Sequence, residues 1–196
     1  MTIAIIGSGN MSKGLAALYA ASGETVVIGS RTPGNGTVSV ADAVAAADIV
    51  LLAVPYRAAA ETLATAGSFK GKILVDMTNP MTPDFSTLAF GFTTSAAEEI
   101  AKLVPDAAVV KGFNTIFASI LANGGKVDGQ PVTVFLAGDD AAVAKVAEVT
   151  TKAGFKVIKS GPIVAARTLE ALGLLNISLG YHLGNGTNIA PTFVGL

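Results

Sequence analysis

The stretch Ile3–Ala16, "IAIIGSGNMSKGLA", decides how this chain is read. An apolar run stops at Gly7-Ser8-Gly9 and gives way to residues with helical spacing, which predicts a strand, a tight turn and a helix. The Gly-x-Gly pattern alone is weak. Placed between a strand and a helix, at the head of a strand–helix–strand unit, it marks a dinucleotide-binding turn. Gly7 permits the tight turn, and Gly9 lets the backbone approach a pyrophosphate at the positive end of the helix. Ser12 stands where a third glycine usually falls, a position that mainly needs a small side chain for close helix–strand packing.

Outward from this turn, short apolar runs recur: "TIAII" (Thr2–Ile6), "TVVIGS" (Thr25–Ser30), "DIVLLAVP" (Asp48–Pro55), "KILVDM" (Lys72–Met77), "AAVVKG" (Ala107–Gly112), "VTVFLAG" (Val132–Gly138) and "FKVIK" (Phe155–Lys159). Nearly continuous apolarity is the mark of parallel strands covered on both faces. Alanine-rich segments with apolar positions three and four apart lie between them, at 10–22, 56–67, 95–104 and 139–153. The alternation predicts an α/β fold, a doubly wound, mainly parallel sheet of Rossmann type, in one domain over 1–196. The segment Arg31–Val44 has room for only a short helix. Asn79–Ser95 reads as a long connection whose Met81, Phe85, Phe90 and Phe92 offer an apolar wall. A final apolar helix, at about 162–183, is placed in the substrate site or a dimer interface.

Composition narrows the function. The chain has 196 residues, 51% of them hydrophobic and 14% charged, so it builds one large core. A net charge of −1 gives no attraction to nucleic acid or to an anionic membrane. The absence of cysteine excludes disulfides and thiolate metal sites, and a single histidine argues against any metal site. No signal or membrane segment is expected from the N-terminal apolar run, which stops at Gly7, and a cytoplasmic location is the default expectation.

The strand ends carry the cofactor argument. An NAD-selective site places a carboxylate at the tip of the second strand; here that tip reads "IGSRT". Gly29 leaves space, Ser30 and Thr32 offer hydroxyls, and Arg31 offers a fork suited to a 2′-phosphate, so NADP is expected. The third strand ends in "AVPYR", placing Ala53 and Val54 beside the nicotinamide ribose, with Pro55 stiffening the exit. Asn79 reads either as a contact to ribose or ring, or as an Asn-Pro turn. Asn114 and Thr115 fit two roles equally, orienting a ring or capping the next helix. Asp139 or Asp140 is read as a helix N-cap.

Taken in order, "IIGSGNMSKGLA", "GSRTP", "DIVLLAVPY", "KGFNTI", "AGDD" and "GPIVAARTLEALG" resemble the NADPH-dependent deazaflavin-coenzyme reductases, the coenzyme factor 420:NADP oxidoreductases. A related NADPH-binding unit occurs in the membrane ferric reductases. The resemblance implies that Gly7, Ser8, Gly9, Asn10 and Met11 wrap the pyrophosphate. It implies Ser30, Arg31 and Thr32 at the 2′-phosphate, and Ala53, Val54, Pro55 and Tyr56 beside ribose and nicotinamide. The implied partner is a deazaflavin or flavin-like redox acceptor.

Direct hydride transfer between two rings needs positioning more than acid–base help, which suits a chain with no convincing catalytic constellation. No catalytic residue is assigned. His182 and Tyr181 read as packed or interfacial, Tyr19 as packing, Lys111 as solvated or phosphate-neutralising, and Arg167 with Glu170 as an ordinary ion pair. Two other functions compete: an NADPH-dependent reductase of a small carbonyl compound, and a non-catalytic NADP-binding regulator. A homodimer is the expected assembly.

Overall fold

The apolar runs become strands because each alternates its side chains between two helical layers. In the computed structural model, which describes residues 1–196, the chain runs β1 (Thr2–Ile6), α1 (Asn10–Ala21), β2 (Thr25–Ser30), β3 (Val38–Ser39), α2 (Val40–Ala46), β4 (Ile49–Leu52), α3 (Tyr56–Ala64), β5 (Ile73–Asp76), α4 (Ala96–Leu103) and β6 (Ala108–Lys111). It continues through α5 (Ala118–Ala122), β7 (Lys126–Val127), β8 (Gln130–Pro131), β9 (Thr133–Gly138), α6 (Asp140–Lys152), β10 (Lys156–Lys159) and α7 (Ala166–Ile177). The main sheet has eight strands in the order β10-β9-β6-β5-β4-β1-β2-β3. All seven runs read from the sequence are strands. The additions are the two-residue edge strand β3 and the small β7–β8 hairpin, too short to carry a periodic signal.

The sheet is parallel except at one step, where β6 meets β9 antiparallel through only two register pairs, Val110 with Gly138 and Lys111 with Ala137. The chain between those strands contains only the five-residue α5 and the small β7–β8 hairpin, with no crossover helix, so it returns at the same end of the sheet. β10 then pairs parallel to β9 through the α6 crossover.

Residue alternation sorts the core. Ile3, Ile5, Ile49, Leu51 and Val75 face α1, α5 and α6, with Leu15 and Val146 packed on them. Ala4, Ile6, Val50, Leu52 and Leu74 face the other way, onto α2, α3 and α4. Fully burying one such aliphatic side chain stabilises by about 1.5–3 kcal/mol, so the two layers specify strand register strongly. Tyr19 belongs to the first layer as expected, fully buried with its hydroxyl 3.1 Å from the Thr150 hydroxyl. Asp139 is the N-cap of α6, accepting from the amides of Ala141 and Ala142.

Ile163–His182 is long and apolar enough by length and composition to cross a membrane. Its polar residues are used inside this fold, however. Glu170 and Asn176 are buried against the sheet ends and hydrogen-bonded there. The expected single helix is also interrupted: after Ile177 the coil widens to a π-type turn over Ser178–His182.

Candidate functional site

The carboxyl ends of β1, β2, β4, β5 and β6 open on one edge, and the strand order reverses at β1, between β2 and β4. Open α/β sheets bind ligands at such a switch point. Gly7 adopts φ +123°, and a Cβ there would lie 2.5 Å from the Ala53 carbonyl oxygen, so only glycine fits between β1 and β4. At Gly9 a Cβ would meet nothing within 4 Å, and the backbone is ordinary extended chain. The protein itself therefore does not require glycine at Gly9, and the space beside it is open.

The helix that follows supports this. α2, α4 and α6 each begin with a side-chain cap, from Ser39, Ser95 and Asp139. α1 begins at Gly9 with no side-chain cap and no acidic residue in its first turn. Its first amides are free for an anion, and the helix dipole favours one there. Ser12 sits fully buried under the turn, its hydroxyl without a hydrogen-bond partner, in the small-residue role expected for that position.

On one side of the turn lies a cavity of about 460 Å³, whose lining includes Gly7, Ser8, Gly9, Ser30, Arg31, Thr32, Ala53, Val54 and Pro55. Arg31 is exposed at its rim and enters none of the six salt bridges. The Ser30 hydroxyl accepts from the Thr32 amide at 3.2 Å, which shapes the loop around it. No carboxylate lines this cavity. Gly29 serves packing, not the space expected of it at the strand tip: a Cβ there would lie 2.8 Å from Ile6 and 2.9 Å from Ala43, so this glycine seats α2 on the sheet.

On the other side lies a cavity of about 700 Å³, mainly apolar, bounded by Met11, Met77, Met81, Phe85, Phe113, Ile116, Phe117 and Ile177, with Asn79, Asp84, Asn114, Thr115, Asn176, Tyr181 and His182 as its polar lining. Met11, Asn79 and Asn114 thus face this second cavity, and Asn10 lines a separate groove between α1 and α5. Tyr56 lines neither main cavity; it starts α3 half-buried, edge-on to Phe90 at 5.4 Å, and burial raises its phenol above the ordinary value. Of the proposed wall residues, Met81 and Phe85 reach the cavity, whereas Phe92 is exposed.

Asn114 does not cap a helix. α5 starts after Phe117 without a side-chain cap, and Asn114 instead pairs with Asn79. The Asn79 amide donates to the Asn114 backbone carbonyl at 2.8 Å. The Asn114 amide donates to the Asn79 side-chain oxygen at 3.0 Å and to the Leu169 carbonyl at 2.8 Å.

Beneath this pair lies a cluster missing from the sequence reading. Lys111 is completely buried, 2.8 Å from Asp76 Oδ2 and 2.8 Å from Glu170 Oε1, and also donates to the Thr78 carbonyl. The expected solvated lysine is therefore an internal one. Glu170 also accepts from the amides of Ala96 and Ala97, capping α4 from a different helix. Burial pushes its carboxyl above the usual range, with Lys111 pulling the other way. Arg167 pairs not with Glu170 but with Glu98, at 2.7 Å, and donates to the Phe92 carbonyl. One signal was available: Glu170 and Asn176 share a face with the small Gly173, three residues apart in turn, in the mainly apolar stretch that follows Thr168.

The fold and the glycine turn define a Rossmann-type dinucleotide-binding protein. Residues 2–80 match the family described as NADP oxidoreductase, coenzyme F420-dependent. The chain is 32% identical to the F420-dependent NADP reductase of Methanothermobacter thermautotrophicus, over 91% of this chain and 89% of that one. A crystal structure from Arthrobacter sp. FB24, named for the F420-dependent NADP reductases, superposes with a TM-score of 0.87 at 32% identity, covering 98% of this chain and 99% of the other. The rat metalloreductase STEAP3 is 33% identical over 88% of this chain, which spans only 36% of that protein's length. The chain belongs to the F420-dependent NADP reductase family, a family of NADP-dependent oxidoreductases.

Proposed function

We propose that this chain is an NADPH-dependent oxidoreductase that passes a hydride between NADP(H) and a deazaflavin or flavin-like ring. The observation that carries the reading is the pair of cavities on either side of the glycine turn: one ending at an unpaired Arg31 with no carboxylate, the other apolar and large enough for a ring. In this reading the α1 amides and Gly9 hold the pyrophosphate, and Arg31 with Ser30 and Thr32 holds the 2′-phosphate. Ala53 to Pro55 flank the inner ribose, while Asn79 and Asn114 sit at the floor of the ring cavity.

The dihydronicotinamide supplies the hydride when bound. The chain supplies placement: Met11, Met81, Phe113 and Phe117 exclude water and hold the acceptor ring against it. No side chain is asked to act as acid or base, since solvent provides the proton that neutralises a reduced flavin-like ring. A second reading, reduction of a small carbonyl compound, draws on His182 and Tyr181 in the lining of the same cavity as donors to a developing alkoxide. A homodimer through the exposed Leu175 of α7 and the exposed Tyr181 and Leu183 of the turn that follows it is proposed, and light scattering tests it.

The deciding experiment is NADPH oxidation with coenzyme F420, FMN, riboflavin and a set of aldehydes and ketones. Turnover with the ring acceptors supports the first reading and turnover with carbonyls alone supports the second. Tight NADPH binding with no turnover on any acceptor points to the non-catalytic regulator.

A further inference from the structure

A glycine in the interior of a helix ordinarily weakens it, and replacing it by alanine strengthens it. Gly173, buried in the middle of α7, is held there by a different constraint. A Cβ at this position would lie 2.6 Å from Asn79 Oδ1, 2.9 Å from Asn114 Nδ2 and 3.0 Å from Asn79 Nδ2. The three nearest atoms are thus all polar atoms of the carboxamide pair that closes the floor of the large cavity. Neither amide is free to withdraw. The Asn114 Nδ2 group is held by the Leu169 carbonyl of the same helix, and Asn79 Nδ2 by the Asn114 carbonyl. The helix cannot easily withdraw either: one turn before Gly173, Glu170 is bound to Lys111 and to two α4 amides, and three residues after it, the Asn176 amide donates to the Thr115 carbonyl at 3.0 Å.

We infer that Gly173 is a positioning residue for hydride transfer: its missing Cβ is the space in which the Asn79–Asn114 pair is held, and that pair sets where the acceptor ring rests. The inference builds on the proposed hydride-transfer function. Gly173 touches no reacting atom in this scheme; it acts through the two asparagines.

The test is a cycle of Gly173→Ala, Asn79→Ala and the double variant, with coenzyme F420, FMN and riboflavin as acceptors. Gly173→Ala is expected to lower the thermal midpoint, against the usual direction for a helical Gly→Ala change. It should slow single-turnover hydride transfer at saturating NADPH and acceptor by at least about tenfold, because ring displacements near 1 Å cost on the order of 10²-fold. Binding of 2′,5′-ADP, which probes only the distant half of the nucleotide site, should not change. Asn79→Ala removes two of the three clashing atoms, so in that background Gly173→Ala should cause less than about a threefold further loss in rate and no further drop in midpoint. A wild-type rate in Gly173→Ala overturns the proposal whatever its midpoint, and so does a raised midpoint. A double variant that loses the full single-variant factor again, in rate or in midpoint, overturns it as well. If no acceptor is reduced even by the unmodified protein, the hydride-transfer reading fails by itself, and the midpoint cycle still reports whether the glycine and the pair are coupled.

Discussion

At the scale of single residues, the nucleotide site rests on two glycines with different duties. Gly7 answers to the protein, because its φ and its approach to Ala53 leave no room for a side chain. In the proposed function Gly9 answers to the ligand, since a Cβ there meets nothing in the protein within 4 Å. Gly9→Val should therefore fold with a near-normal midpoint yet lose both NADPH and NADH, as calorimetry would show; normal affinity would reduce the turn to a structural bend. Ser12→Gly should be tolerated, because the buried hydroxyl it removes has no partner to lose. Arg31→Ala should weaken NADPH by about 1.5–3 kcal/mol, the scale of a hydrogen bond to a charged group, with little effect on NADH. Equal losses for the two nucleotides would remove Arg31 from the phosphate site.

At the scale of elements, α7 is fastened from below and from the side. Replacing Lys111 by Met would leave Asp76 and Glu170 buried without their cation, which should cost about 3–5 kcal/mol in denaturant unfolding. A loss under about 1 kcal/mol would mean that the cluster does not anchor the helix. The Arg167–Glu98 pair is the lateral tie, and it responds to pH. Arg167 beside Glu98, helped by the Ser95 hydroxyl, holds that carboxyl below its ordinary 4.5. The folded protein thus binds this proton less readily than the unfolded chain, so the tie contributes fully above about pH 4.5 and fades as pH falls through the lowered value. Glu98→Gln should cost up to about 1 kcal/mol at pH 7, as for other partly exposed pairs, and progressively less as pH falls through the lowered value. A constant difference across that range would contradict the assignment. These ties explain what was legible beforehand. Strand and helix positions are written in periodicity, and the glycine turn in a local pattern, so both could be read. The link between Lys111 and Glu170 spans 59 positions and depends on how α7 lies across the sheet, which no local pattern carries. The same limit hid the Asn79–Asn114 pair, whose members had each been placed at the cleft but not together. The antiparallel β9 depended on the direction of a return that only the packed chain shows.

At the scale of the whole molecule, a sheet covered on both faces leaves its carboxyl edge as the place where a two-part nucleotide and a second ring can meet. The glycine turn divides that edge into a cavity ending at Arg31 and an apolar cavity under α7. If the second cavity only positions a ring, its titratable rim is dispensable. His182 lines that rim, and Tyr56 packs on Phe90 outside it. A true general acid is typically worth 10²–10⁴-fold, so the two alternatives are well separated. The measurement that tests the central claim most directly is single-turnover stopped-flow oxidation of NADPH by saturating coenzyme F420, in the unmodified protein, His182→Ala and Tyr181→Phe, the two donors that line the ring cavity. Direct hydride transfer predicts that each variant stays within about tenfold of the unmodified rate. A collapse on the order of a thousandfold in either one, with folding and NADPH affinity unchanged, would contradict it and give that side chain an acid role in the transfer.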